Sequence, residues 1–318
     1  QLRLPVGIDF VVVERACNQI ASGMAARSVR ARSYPANAQL CELVVIRGNA
    51  FPAVVPMPEL RTRSINLWQP QPFGVGEDGN FIAITLPEHN LLIGGEPGSG
   101  KSVALSVLIT MAALDPSVTL TLLDGKQVEL AAWSRLADLF VGPDQVEACQ
   151  ALDYLRGLMD TRYDILLTEN RRKLAKDSGF GLHVVVIDEL AFYLRSGKKE
   201  QRDQFAESLR DLVSRGRAAG IIVIAATQKP SHEVVPTWIR DLFAYRLAMR
   251  CSSNDASDTI LGSGWAQRGY SATSIDPTNR GVGFLLAEGR VPVLIKTPFV
   301  SDEVINNIAA YGLQLRSR

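Results

Sequence analysis

Residues 95–102 read Gly-Glu-Pro-Gly-Ser-Gly-Lys-Ser and fill every fixed position of the phosphate-loop pattern G-x-x-x-x-G-K-[ST]. In such a loop, backbone N–H groups and the start of the next helix face phosphate oxygens. Lys101 has the reach and charge to meet β- and γ-phosphates, and the Ser102 hydroxyl can ligate Mg²⁺. Gly95, Gly98, Ser99 and Gly100 complete the cradle, Gly98 and Gly100 permitting a tight loop. The expected cofactors are therefore ATP and Mg²⁺. A chance glycine-rich turn is the alternative. The flanks argue against it, because residues 90–93 are mostly apolar and residues 103–114 suit a helix.

A second motif runs Val184-Val185-Val186-Ile187-Asp188-Glu189. The apolar run reads as a buried strand that delivers two acids at its carboxyl end, where open α/β sheets bind ligands. Asp188 would hold Mg²⁺, and Glu189 would orient or deprotonate an attacking water. Two solvated acids at a strand end are the bland reading. A third run, residues 221–228, ends in Ala226-Thr227-Gln228 and would bring Gln228 beside the phosphates. Just before it lie Arg215 and Arg217. Either could complete a neighbouring subunit's site, as an arginine finger does, or merely offset a helix dipole.

The elements needed to position these groups are legible. Strands are expected at 81–85, 90–93, 119–123, 183–187, 221–225 and 245–249, and helices at 103–114, 146–168, 201–217 and 301–310. Near-continuous apolar strands alternating with helices predict a mainly parallel sheet covered on both faces. The fold expected is α/β: a RecA-like P-loop NTPase core over residues 74–318, plus a small N-terminal α/β subdomain over residues 1–60. Within that subdomain, residues 6–14 and 40–46 read as strands and 15–27 as a helix. Pro52, Pro56 and Pro58, and then Pro70 and Pro72, break regular structure and bracket a linker.

Composition sets broad limits. Of 318 residues, 47% are hydrophobic and 21% charged, as in a folded globular protein. A net charge of +1 argues against a protein coated in basic charge but leaves room for a few basic loops on nucleic acid. Cys17, Cys41, Cys149 and Cys251 are scattered, which suggests a reducing compartment, and no zinc spacing is present. No apolar run approaches a membrane span and no secretory leader is read. The start at Gln1 suggests a processed chain, so any anchor would lie outside it.

Four stretches together resemble the FtsK/SpoIIIE family of DNA translocase motors. They are the Gly-Ser-Gly-Lys-Ser loop at 98–102, Leu123-Asp124-Gly125-Lys126-Gln127-Val128-Glu129-Leu130, the Val-Val-Ile-Asp-Glu-Leu-Ala run at 185–191, and Arg217-Ala218-Ala219-Gly220-Ile221 leading to Ala226-Thr227-Gln228-Lys229-Pro230. Residues 250–261 extend the similarity, which covers about 74–300. The resemblance implies an ATP-driven homo-oligomeric ring, usually a hexamer, that moves double-stranded DNA in chromosome segregation or conjugative transfer. It implies ATP sites between subunits. It also implies a cytoplasmic location, at the membrane's cytoplasmic face only through segments absent from this chain. The chain departs from the family pattern at Glu96-Pro97 and Gly125. The absence of a winged-helix reader after the motor resembles the conjugative branch.

DNA contacts in such a motor need basic loops on phosphates. Candidates are Arg171, Arg172, Lys173 and Lys176, then Arg268 and Arg280 flanking residues 269–279, with Lys198 and Lys199 a smaller pair. A solvated surface is the ordinary fate of each. Two rival functions remain at this stage. One is a protein-export ATPase resembling those of type VII secretion, although those usually carry several ATPase modules. The other is a module in which nucleotide controls assembly alone.

Overall fold

The computed structural model describes residues 1–34, 36–48, 50–57 and 64–317. Pro58 and residues 59–63 of the expected linker lie outside the described residues.

The N-terminal unit is a three-stranded antiparallel sheet, β1 (Leu2–Arg3), β2 (Ser28–Tyr34) and β3 (Asn37–Ile46), in the order β1-β3-β2. One helix, α1 (Phe10–Gly23), packs on it. Its buried stripe is Val13, Cys17 and Ala21, an i, i+4 spacing that faces Val29, Ala31 and Cys41. The strand expected over 6–14 is therefore wrong. The run Phe10-Val11-Val12-Val13, an aromatic residue and three β-branched valines, opens α1 instead. The Asp9 carboxylate accepts from Val12 N at 3.1 Å and caps the helix. Only Val13 of that run is buried, so the cap and the 3.6-residue stripe outweigh local strand propensity.

The main sheet has ten strands. They are β4 (Gln71–Gly76), β5 (Phe81–Ile84), β6 (Leu91–Gly94), β7 (Thr119–Leu123), β8 (Leu139–Val141), β9 (His183–Ile187), β10 (Ile221–Thr227), β11 (Tyr245–Met249), β12 (Val282–Leu286) and β13 (Val293–Lys296). Their order is β5-β4-β13-β12-β11-β6-β10-β9-β7-β8. The six from β11 to β8 are parallel, and the four on the other flank pair antiparallel. Pro72 does not break β4, because that strand runs near the sheet's outer flank and shifts register between Pro72 and Gly74.

Alternate residues of each parallel strand enter two different cores. Val185 and Ile187 of β9, with Val223 and Ala225 of β10, join the first core. There they meet α3 (Gln145–Thr168), α4 (Leu190–Arg195) and α5 (Lys199–Arg215). Val184 and Val186, with Ile224 and Ala226, join the second. It is built with α2 (Lys101–Ala113) and α8 (Asp302–Arg316). Short helices α6 (Thr237–Arg240) and α7 (Asn254–Leu261) close the first face. Strands apolar on both sides are what a sheet with two covered faces requires. α2 is buried almost all round, so the segment after the phosphate loop is held firmly in place.

Residues 51–57 cross onto the main domain. Phe51 enters the first core, and Lys296 Nζ donates to the carbonyls of Pro52 and Ala53, both at 2.8 Å. Ion pairs Arg30–Glu77, Arg27–Asp276 and Arg268–Glu14 tie the N-terminal unit to the large sheet and to the 265–281 segment. The four cysteines are all buried and unbridged. No described helix is long and apolar enough to cross a membrane.

Candidate nucleotide-binding site

Four neighbouring parallel strands end at one edge of the sheet. Gly94 of β6 leads into the phosphate loop, Thr227 of β10 into Gln228, Ile187 of β9 into Asp188, and Leu123 of β7 into Asp124. β11 and β10 flank β6 on its two sides, so the chain leaves this point in opposite directions, the usual place for a ligand crevice. A cleft of about 600 Å³ opens there, lined by Gly98, Gly100, Lys101, Ser102 and Gln228.

The loop's conformation fits its sequence. Gly98 and Gly100 adopt φ of 76° and 105°, the left-handed region that favours glycine. At Gly100 a β-carbon would also lie 2.5 Å from Gly281 N, so a side chain is excluded twice over. Gly281 N donates to Ser99 O at 2.9 Å, which pins the loop from the other side. Glu96 is explained here as well. Its backbone N donates to Arg250 O at 2.9 Å, and its carboxylate pairs with Arg250 Nη1 at 2.6 Å. Glu96-Pro97 is thus the point at which the end of β11 clasps the phosphate loop.

Lys101 Nζ donates to Asp188 Oδ1 and to Asp188 O, both at 3.2 Å. Burial pushes the Asp188 carboxyl above its ordinary range, and Lys101 and Lys126 pull against that shift. Asp188 Oδ2 and Ser99 Oγ are buried with no hydrogen-bond partner. A buried carboxylate oxygen without a hydrogen bond is costly unless a ligand meets it. A hard cation beside Ser102 and Asp188 would do so, while phosphate oxygens would meet Ser99. The residues present therefore fit Mg²⁺ with a nucleotide. Among the described residues there is no cluster of three or more side chains able to hold a metal alone.

Glu189 is held more closely than the sequence suggests. Its carboxylate accepts from the Thr227 hydroxyl at 2.9 Å and from Gln228 N at 3.2 Å. Thr227, fully buried, was not foreseen as a site residue. Its signal was only its place between the apolar strand and Gln228. Lys126 and Glu129 also enter the site, although the sequence offered them only as family markers. The Asp124 carboxylate accepts from Lys126 N at 3.1 Å and Leu130 N at 2.9 Å, curling residues 124–130 so that both side chains turn inward. Lys126 Nζ then lies 3.5 Å from Glu129 Oε1 and 3.8 Å from Asp188 Oδ2.

The arginines separate clearly. Arg215 is committed to Asp211 and Asp160 and stacks on Tyr163. Arg217 has no ion pair or side-chain hydrogen bond among the described residues. It sits at the start of β10, about 20 Å from the strand's carboxyl end at 3.3 Å per residue. The turn that carries it is pinned by buried Arg162, which donates to Ala219 O at 2.8 Å.

The basic candidates do not form one patch. Arg171 is paired with Glu169 and Asp177, Lys173 with Glu88, Lys199 with Asp203, and Arg268 with Glu14 while stacking on Trp265. Arg172 and Lys176 are exposed and unpaired among the described residues. Arg280 stands apart from all of these, because it lines the nucleotide cleft.

Fold and site together define an α/β P-loop nucleotide-binding domain. The sequence model of the FtsK/SpoIIIE family matches residues 62–263, and the chain belongs to that family. A "DNA translocase FtsK" of Staphylococcus epidermidis is 30% identical over 267 residues, covering 76% of this chain and 32% of the relative. That of Lactococcus lactis subsp. lactis is 27% identical over 337 aligned positions, covering 98% and 42%. The chain thus spans about a third of the length of the first of these relatives. Among solved structures, the pCW3 conjugation coupling protein TcpA in its monomer form with ATPγS shares the fold with a TM-score of 0.73 at 19% identity, over 97% of this chain and 87% of that one. EssC (ATPases 2 and 3) from Geobacillus thermodenitrificans shares it with a TM-score of 0.66 at 16% identity, over 84% and 52%.

Proposed function

We propose that this chain is an ATP-hydrolysing motor that moves double-stranded DNA, working as a ring of identical subunits, expected to be a hexamer. One observation carries the reading. Lys101, Ser102 and Gln228 line one cleft, Asp188 and Glu189 bond to Lys101 and Gln228 beside it, and Arg217, without a side-chain partner among the described residues, lies at the far end of β10, which supports a site completed by a second copy. The FtsK relatives support DNA as the cargo.

In this reading the phosphate loop and Lys101 bind the triphosphate, and Ser102 and Asp188 hold the cation. Bound Mg²⁺ offsets charge on the β- and γ-phosphates. Glu189 would orient the attacking water and accept its proton, and Gln228, whose backbone N–H donates to Glu189, would lie beside the phosphates. A neighbour's Arg217 steadies the transferred charge. Arg172 and Lys176, without partners among the described residues, are the first residues we assign to the DNA backbone. Arg171, Lys173 and Arg268 would have to leave acidic partners to join them.

We assign residues 1–60 as the smaller subdomain and 74–318 as the motor domain, on the cytoplasmic side. The process is conjugative transfer or chromosome segregation. The test is ATP turnover with and without duplex DNA across a salt series. Duplex DNA should raise turnover, with the effect fading as salt rises. Turnover indifferent to DNA but raised by a secretion-signal peptide would overturn the cargo and favour protein export.

A further inference from the structure

The cleft beside the phosphate loop has a second wall, and it is apolar. Val54, Val55 and Phe299 line the same cleft as Gly98, Gly100 and Lys101. Val54 and Phe299 are left 56% and 54% exposed, while their chain neighbours Val55 and Val300 are buried. Single exposed apolar side chains are ordinary on a protein surface. These two differ because they share one cleft with a loop shaped for phosphate.

A run of backbone hydrogen bonds fixes this wall relative to the loop. Gly281 N donates to Ser99 O, and Thr297 N donates to Gly281 O, both at 2.9 Å. Pro298 comes next, and a residue before proline is held extended. Phe299 therefore stands about 7 Å along the chain from Thr297. Phe299 N donates to Val55 O at 2.8 Å, and Phe299 forms a parallel bridge with Pro56. On the other side of Val54, buried Lys296 donates to the carbonyls of Pro52 and Ala53. Val54 thus belongs to a strap tied down at both ends. A ring and a valine held in this way form a stacking platform, because every nucleobase has a π-face that an aromatic side chain can cover. When phosphates occupy the loop at 95–102, the base falls to the rest of the same cleft.

Resting on the nucleotide-binding reading above, we propose that Phe299 and Val54 form the base subsite of the cleft: the Phe299 ring stacks on the purine, and Val54 packs against it from the strap. The phosphate loop holds one end of the nucleotide, and this apolar pair holds the other.

The test compares ATPγS with inorganic tripolyphosphate, which carries phosphates and no base, each titrated calorimetrically in the presence of Mg²⁺. Phe299→Ala should weaken ATPγS about tenfold, the usual effect of losing one base-stacking ring, and leave tripolyphosphate within about twofold of wild type. Phe299→Tyr, which keeps the ring, should recover most of the loss. Saturating 2-aminopurine riboside triphosphate, whose emission is quenched by stacking, should be quenched by the wild-type chain and much less by Phe299→Ala. Equal weakening of ATPγS and tripolyphosphate overturns the inference, because Phe299 would then act on the phosphate loop through the backbone and not on the base. Unchanged ATPγS affinity in Phe299→Ala also overturns it while leaving nucleotide binding intact. A wild-type chain that binds neither ligand overturns the nucleotide reading as well.

Discussion

Charge placement at single residues decides how tightly the cleft grips phosphate. Glu96 puts a carboxylate on the phosphate loop and neutralises it with Arg250 at 2.6 Å. Glu96→Gln removes that negative charge and frees a cation beside the cradle. ATPγS should bind about fivefold tighter, roughly 1 kcal/mol, by fluorescence titration. His183 lies far from the cleft, at the start of β9, with its ring 2.8 Å from Thr121 Oγ1. Burial first, and then Arg162, push its pKa down to about 4, with Asp138 pulling the other way. Between that value and an unfolded value near 6.5, the unfolded chain binds a proton that the folded chain refuses. Stability is therefore full above about pH 6.5 and falls as the pH drops towards 4, by roughly 3 kcal/mol at most. His183→Gln should flatten that slope in denaturant titrations at pH 7 and pH 5.

Elements meet at a few buried polar joints. Asn90 is one: its Nδ2 donates to Val213 O at 2.8 Å and its Oδ1 accepts from Val223 N at 2.7 Å, joining the foot of β6 to α5 and β10. Asn90→Ala leaves both backbone groups buried and unpaired, at about 1–3 kcal/mol for each. The thermal midpoint should fall clearly, and the strand that feeds the phosphate loop should lose amide-exchange protection. Elements of this kind were also the most legible in the sequence. Residues 119–123, 183–187 and 245–249 match their expected limits, because each is dominated by large apolar residues that two covered faces bury, with only Thr119, Thr121, His183 and Arg246 as polar exceptions. β2 was missed because Arg30 and Arg32 interrupt its pattern. Arg30 is buried only through its pairing with Glu77 and its stacking on Phe284, contacts more than forty residues away in sequence. The candidate site divides in the same way. Lys101, Ser102, Asp188 and Glu189 could be read from local motifs. Lys126, Glu129 and Thr227 could not, because their place depends on which strands lie side by side.

At the scale of the whole molecule, the proposed ring would share each site between copies. Arg217 lies before β10, at the end of the sheet opposite its own phosphate loop, so in the proposed ring it would serve a neighbour. Arg217→Ala should lower turnover by about 10³-fold. Lys101→Ala should be inactive for a different reason, the loss of nucleotide binding. Mixing the two variants should restore part of the activity, because one supplies the loop and the other the arginine. No recovery on mixing would place Arg217 outside the chemistry. The central claim is that hydrolysis moves duplex DNA, and its most direct measurement is displacement of a third strand from a duplex track. The wild-type chain should strip the third strand only with ATP and Mg²⁺, and Glu189→Gln should bind ATP yet strip none, its turnover reduced at least 10²-fold. Wild-type chain that hydrolyses ATP on that DNA and never displaces the strand would contradict the account.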